Sequence, residues 1–545
     1  MHCIETPPAV EGANTSLKRT RTKAQIEAEA AEMAAKWEDA RVQALVGATA
    51  DMFFPGLLKA NPKLAYEEAA RLCARLDRMN ERFAVAMIEG KTLALDMYSA
   101  QPPATDGLDA VVVNATVPRA YPCAIEFASL VKLHMDELVT VHRRTEPAKM
   151  NVAEAWLQWP GHRKYERGLV FAPGVAQGDM PGGWLNLFTG WGTPPLEPNR
   201  QADEEACSHL LHHLRSVVCG GDDGVFQWLL WWCADIVQNP QSKPGSAVVL
   251  AGKKGSGKSF VADVLREVIG PKHFVRVAKK KDLVGEFNGH LAAALLVNCE
   301  EATFGGDVEA NNILKDAVTS DTVLVNEKFM PRHTMRSYAR YLFTTNSDYS
   351  HNTSEDERRF LFLDVGDQFI GDAAYFGRMA SQLACGGFQA FANILHTMER
   401  PEGVNLRKPP KTEAHARLFA ESLPVEERFF YTALTTGEGY PEEAEEGGAV
   451  VFVSDVKAAF DAYLDEHAKG RSFKKSDNNF VPACMRKFWG VDPGSWDRKT
   501  RKARREVCYR VPSLRDAREM ATWPAGQGGL GLSRDAVGLD DGDGG

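Results

Sequence analysis

The apolar positions of this chain change period several times, and each change marks a predicted element. From residue 22 to 45, Ile26, Ala30, Met33 and Trp37 recur at three- and four-residue steps, the spacing of an amphipathic helix. Residues 82 to 97 alternate on either side of Glu89-Gly90-Lys91, which predicts two short strands joined by a hairpin turn. Helix mixed with loops rich in Pro and Gly follows to about residue 182. Between 203 and 238 the helical period returns. Leu210, Leu211, Leu214, Val217 and Val218 form one stripe, and Phe226, Leu229, Leu230 and Cys233 form another beyond Gly220-Gly221-Asp222-Asp223-Gly224. These predict a small helical collar. Cys207, His209, His212 and His213 lie within it, but helical geometry scatters them over different faces, which favours packing or surface roles over a metal site.

Further on, apolar runs end in chemistry. Ala247-Val248-Val249-Leu250-Ala251 leads into Gly252-Lys253-Lys254-Gly255-Ser256-Gly257-Lys258-Ser259, which fits G-x-x-x-x-G-K-[ST] at every fixed position, and Phe260 to Leu265 then read as helix. Strand, glycine loop and helix in that order let backbone N–H groups curl around a β-phosphate. Lys258 would reach the β/γ oxygens and Ser259 would offer its hydroxyl to Mg²⁺. The run Ala292 to Cys299 delivers Glu300 and Glu301. After a phosphate loop, Glu300 is expected in the Mg²⁺ shell and Glu301 as the general base for water. The strand Tyr341 to Thr345 ends at Asn346, whose amide can bond both a γ-phosphate and the attacking water. Arg358 or Arg359, before the strand Leu361 to Val365, suits a finger into a neighbouring subunit, with an internal salt bridge as the alternative. Val323-Leu324-Val325 begins a hairpin whose tip carries Lys328, with Arg332 and His333 nearby. These cations could grip a phosphate backbone or form a solvated basic turn.

Composition adds organisation. A chain of 545 residues suggests three or four domains, and its ten cysteines contain no Cys-x-x-Cys pair, so neither a disulfide framework nor a zinc ribbon is indicated. A reducing cytoplasm fits best. No apolar stretch has the length a bilayer needs, and the start Met1-His2-Cys3-Ile4-Glu5 lacks a signal-peptide core. The formal charge of −9 hides a polarised distribution, because residues 471 to 518 hold fourteen Lys/Arg against five Asp/Glu. Within that segment Arg498, Lys499, Arg501, Lys502, Arg504 and Arg505 precede the strand-like Val507 to Val511. Ser454 can cap a helix carrying Val456, Ala459, Phe460, Tyr463 and Leu464, and helices followed by a basic hairpin suggest a winged-helix module that binds DNA.

The order phosphate loop, acid pair, basic hairpin, asparagine-ended strand and Arg-Arg resembles superfamily 3 helicases, and more closely the helicase part of phage and plasmid primase-helicase proteins. Trp184 to Trp191 and Lys281 to Gly289 strengthen the likeness, which covers about residues 150 to 420. The resemblance implies an α/β P-loop NTPase core of the AAA+-like kind and a homo-oligomeric ring, commonly a hexamer. Such a ring hydrolyses ATP with Mg²⁺ at subunit interfaces and translocates on single-stranded DNA at a replication fork, with a separate primase or polymerase as a further partner. The expected layout is an arm at 1–20, an α+β region at 21–150, connection and collar at 151–239, the NTPase at 240–420, a linker at 421–449, the winged-helix-like domain at 450–520 and a tail at 521–545. Relatives often carry a primase domain with paired acids. Residues 1 to 150 show no Asp-x-Asp on a strand, since Asp106 and Asp109 fall in a loop-like stretch, so primer synthesis is not expected. The function expected is that of a replicative helicase in a phage or plasmid system. A full primase-helicase and an ATP-switched initiator or loader are the alternatives.

Overall fold

The computed structural model describes residues 40–97, 122–144, 146–278, 288–300, 308–327, 330–346, 359–444, 448–467, 479–501 and 504–520. The described residues divide into two units, the first built from 40–97, 122–169 and 182–184, the second from 170–181 and 185–520.

In the first unit, helices α1 (Ala40–Phe53) and α2 (Pro62–Arg82) lead into strands β1 (Phe83–Ile88) and β2 (Lys91–Asp96). The predicted hairpin is present. Glu89 and Gly90 both take positive φ (47° and 74°), the geometry a two-residue turn needs to match the strand twist. Strand β3 (Cys123–Ile125), helix α3 (Val152–Gln158) and strand β4 (Lys164–Tyr165) complete a sheet of order β3-β2-β1-β4, in which β4 alone runs parallel to its neighbour. Phe53, Leu76, Trp156 and Trp159 fill its core. Within that core the Thr49 hydroxyl accepts the Trp159 indole N–H at 2.9 Å, so the buried donor is satisfied. Most of the helix expected at 22–45 lies outside the described residues, and α1 continues past its predicted end to Phe53.

The second unit contains a five-stranded, wholly parallel sheet. Helix α4 (Asp223–Gln238), the collar helix, precedes strand β5 (Ala247–Ala251), helix α5 (Lys258–Ile269) and strand β6 (Phe274–Val277). Strand β7 (Leu296–Glu300), helix α6 (Val308–Thr319), the antiparallel hairpin β8 (Thr322–Val325) and β9 (His333–Arg336), and strands β10 (Arg340–Thr345) and β11 (Phe360–Asp364) follow. The order is β6-β7-β10-β5-β11. All five residues of β5 are buried, as a strand covered on both faces must be, and this is why it reads as an unbroken apolar run. Arg340, with its side chain shut off from solvent, fastens the collar to the sheet. Its Nη2 donates to Asp235 Oδ2 at 2.6 Å and to the carbonyls of Asp235, Asn239 and Ser242, where α4 ends.

The carboxyl-terminal part has its own core. Helix α7 (Ala373–Gln382) and helix α8 (Phe388–Thr397) end the sheet region. Then helix α9 (Val425–Thr436), strand β12 (Ala449–Phe452), helix α10 (Val453–His467), helix α11 (Phe480–Trp489) and strands β13 (Trp496–Arg501) and β14 (Arg504–Val511) pack around Phe430, Phe460, Trp489 and Val511. The antiparallel order is β12-β14-β13. Two expectations need correction. Residues 421–449 are not simply a linker, because α9 lies within them and buries Phe429, Phe430 and Leu434 in this core; the acidic, glycine-rich composition after Thr436 masked the apolar face before it. Ser454 does not precede its helix but sits in the first turn, where its hydroxyl donates to Glu506 at 2.7 Å. No helix among the described residues is long and apolar enough to cross a membrane.

Burial pushes three imidazoles of the second unit, His213, His273 and His415, down to about 4 from an ordinary 6.5. Between those values the unfolded chain binds more protons than the folded one, so stability is fully present above about pH 6.5 and is lost as pH falls toward 4. The apparent melting temperature is therefore expected to decline steadily from about pH 7 to pH 5. A melting temperature that stayed flat across that window would mean the imidazoles are not held neutral by burial.

Candidate functional site

Parallel pairing sends the carboxyl ends of β5, β7 and β10 to one edge of the sheet, and the residues singled out in the sequence gather there. Beyond β5 the loop turns through Gly252, Gly255 and Gly257 at φ of 156°, 87° and 94°, a left-handed region that residues with a Cβ rarely enter. Lys258 opens α5, and its ammonium is drawn back over the loop. Nζ donates to the carbonyl oxygens of Gly252 and Lys253 and, at 3.3 Å, to Ser256 Oγ. Burial lowers the affinity of this amine for its proton. A partly desolvated cation held only by neutral oxygens attracts an anion strongly, and the amino end of α5 adds its own positive potential. Lys253 points elsewhere, pairing with Asp367 at 2.7 Å in solvent.

A cleft of about 660 Å³ opens beside the loop, lined by Lys254, Lys258, Ser259, Glu300, Asn346 and Phe376 among others. Glu300 ends β7 with Oε1 held by Arg276 Nε at 3.1 Å and by the Asn298 amide at 3.3 Å. Its carboxylate is thus fixed and partly compensated. Asn346 sits one residue past β10, exposed, with the loop's Gly252 N–H bonded to the carbonyl of neighbouring Thr345. Ser259 is exposed, and its hydroxyl and the Glu300 carboxylate line one cleft, which suits a hard cation that keeps several waters.

The remaining predicted residues are elsewhere or outside the described residues. Glu301, Lys328, Arg358 and Lys502 fall outside them. Arg359 lies at the amino end of β11, where its carbonyl accepts Ala247 N–H at 2.7 Å; this is the opposite end of the strands from the loop, so it does not join the site of its own chain. Arg332 is exposed, but His333 is not a tip residue. It opens β9 at 9% exposure with Nδ1 on the Pro331 carbonyl, because strand alternation turns it inward. Arg498, Lys499 and Arg501 are exposed along β13, Arg501 also pairing with Asp455 and lying over the Phe452 ring.

Sequence reasoning missed the floor beneath the loop. His213, fully buried where the collar chain takes the wider turns of a π-helix, lies so close that a Cβ on Gly257 would meet its Nε2 at 2.5 Å. Nδ1 faces the Tyr375 hydroxyl at 3.1 Å, and Nε2 has no hydrogen-bond partner. Phe376 also closes on Gly257. No spacing in the sequence connects positions 213, 257 and 376; only the fold does. Gly257→Ala should accordingly cost about 2 kcal/mol or more, through both strain and clash, whereas Gly255→Ala meets nothing nearer than 3.7 Å and should cost about 1 kcal/mol from strain alone. Denaturant unfolding of the two variants measures the difference, and equal losses would mean that His213 yields freely.

Comparison with known proteins places this geometry in context. Residues 250–359, which hold the glycine loop, Glu300, Asn346 and the Arg pair, match a family of unknown function, DUF5906. A DNA primase-polymerase of Nitratiruptor phage NrS-1 is 25% identical over 139 residues, 25% of this chain; the match spans only 19% of that relative's length. The solved apo structure of the NrS-1 C-terminal region (305–718) aligns with 80% of this chain and 97% of its own, at TM-score 0.50 and 14% identity, a likeness of fold alone.

Proposed function

We propose that this chain is a phage-type DNA replication protein whose glycine loop binds ATP and whose hydrolysis of it drives movement along DNA. The observation that carries the reading is the convergence of the loop, Lys258, Ser259, Glu300 and Asn346 on one cleft at the carboxyl edge of a parallel sheet. Such an edge, with a helix amino terminus facing it, is where this class of sheet takes phosphates. The α/β core is read as a P-loop NTPase and the module from α9 to β14 as winged-helix-like. The name of the NrS-1 relative supports a role in replication.

In this reading the triphosphate takes Lys258 from the loop carbonyls, and the backbone N–H groups of 255–259 surround the β-phosphate. Ser259 and Glu300 would hold Mg²⁺, which would neutralise charge on the phosphate oxygens. Glu301 accepts the proton of the attacking water, and Asn346 orients that water against the γ-phosphate. Arg358 or Arg359 completes the site of a neighbouring subunit, which agrees with Arg359 lying away from the loop of its own chain. A homo-oligomeric ring on single-stranded DNA, gripped by Lys328 and Arg332, follows from this arrangement. A second reading, a primase-polymerase, is favoured by the likeness to the NrS-1 primase-polymerase.

Lys258→Ala should abolish ATP hydrolysis, and Glu301→Gln should retain ATP binding with turnover slowed by a factor of about 10² or more. Steady-state ATPase assays with and without single-stranded DNA, beside a primer-synthesis assay, separate the readings. Near-normal hydrolysis by Lys258→Ala would remove the nucleotide assignment. For the arginines, mixing inactive Arg359→Ala subunits with inactive Lys258→Ala subunits should restore part of the ATPase, because some mixed interfaces hold one intact site. A co-assembled mixture that stays dead would place Arg359 outside the neighbouring site.

A further inference from the structure

Strand β13 carries one large apolar residue that the core does not use. Trp496 is 56% exposed, and among the described residues of the carboxyl-terminal module it is the single large apolar side chain left open to solvent to this degree. The module buries its other tryptophan fully: Trp489 is at 0% and its indole N–H donates to the Phe430 carbonyl at 3.0 Å. Leaving an indole in water forgoes a couple of kcal/mol of burial, so its place needs a reason other than packing.

The backbone under Trp496 is firmly held. Asp492 caps the turn before it, accepting Gly494 N–H at 2.8 Å, and β13 pairs with β14 over six residues, Trp496 opposite Tyr509. Tyr509 is buried, and its hydroxyl accepts Arg486 Nη1 from α11 at 3.4 Å. Strand alternation puts Arg498 on the same face as Trp496, about 7 Å further on, and places Arg505 opposite Thr500 on that face. Both arginines are exposed. The one acid on the strand, Asp497, belongs to the other face, where its carboxylate accepts the backbone N–H of Arg498 at 2.7 Å.

An apolar docking site for a protein would extend over several neighbouring apolar side chains, and here there is one aromatic plane followed by cations. That combination matches a nucleic acid strand. The plane takes a base by stacking, which every base permits, and the guanidinium groups take phosphates. A base in closed duplex offers no free face for stacking. We propose that Trp496 stacks on an unpaired DNA base at a junction between duplex and single strand, with Arg498 and Arg505 on the adjoining phosphates, so that the module recognises the junction and not duplex alone. This rests on the reading of the chain as a DNA-binding replication protein.

The test uses the full chain with two DNA probes, a forked oligonucleotide with unpaired tails and a relaxed, covalently closed circular duplex. Trp496→Ala should weaken binding to the fork about tenfold, the size of one lost base stack, and leave the closed duplex unaffected. Its logarithmic dependence on salt should match that of the unaltered protein. Arg498→Ala should lower that dependence by about one counterion on the fork. Trp496→Phe should recover most of the fork affinity, and 2-aminopurine as the first unpaired base should be quenched by the unaltered protein but not by Trp496→Ala. Unchanged fork binding by Trp496→Ala, or an equal loss on both probes, would overturn the stacking role while leaving DNA binding intact. Absence of binding to either probe by the unaltered protein would overturn that reading as well.

Discussion

Parallel strand pairing is the constraint from which the candidate site follows. In an antiparallel sheet the carboxyl ends of neighbouring strands point opposite ways, and Asn346, on the strand between those of Gly252 and Glu300, would lie at the opposite edge from both. Here β5, β7 and β10 are paired in parallel, with Thr345 level with Ala251 and Glu300 level with Thr344. Residues nearly a hundred positions apart thereby meet at one cleft. The same polarity explains why Arg359, which immediately precedes β11, is carried to the far end: a residue before a strand and a residue after its parallel neighbour cannot share an edge.

Burial on both faces makes such a sheet stable, but it also demands that everything joining it be anchored without water. Arg340 meets that demand at the start of β10. One guanidinium bonds the carboxylate of Asp235 and the carbonyls of Asp235, Asn239 and Ser242 where α4 ends, so the collar helix and the strand that leads to Asn346 are fixed to one another. Lys243 does the same for α6, donating at 2.7 Å to the carbonyls of Ala317 and Ser320 in a setting whose burial lowers its pKa to about 8. Removing one member of the Arg340–Asp235 pair would strand the other charge, which typically costs more than the pair contributes net.

What could be read from the sequence follows from these constraints. The glycine loop was legible because a fixed spacing encodes it, and strands β5, β7, β10 and β11 because burial on both faces leaves unbroken apolar runs such as Val248-Val249-Leu250, whereas β6, with Arg276 exposed within it, carries no such run. The hairpin at Glu89-Gly90 was legible from turn chemistry. His333 was grouped with Arg332 as a residue for gripping phosphate, whereas its register in β9 turns it inward. Helix α9 was missed because the acidic run after it dominates the local composition. The contact of His213 and Phe376 with Gly257 was not legible: it arises through the packing of collar and α7 on the loop, and no local pattern carries a contact between such distant positions.

That packing bears on how the loop is held before any ligand arrives. Left-handed glycines alone would leave it floppy, yet its geometry is fixed from above and below. From above, Lys258 closes it with bonds to Gly252 and Lys253; from below, His213 and Phe376 leave no room for a Cβ at Gly257. The lower contact is steric, made by the Phe376 ring and by an imidazole that burial disfavours in its charged form. The upper one is exchangeable, since neutral carbonyls hold a cation less strongly than phosphate oxygens do. Under the proposed reading, then, a triphosphate need not build the loop. It replaces the oxygens around Lys258, and the cost of shaping the backbone has already been met by the glycines and the floor beneath them.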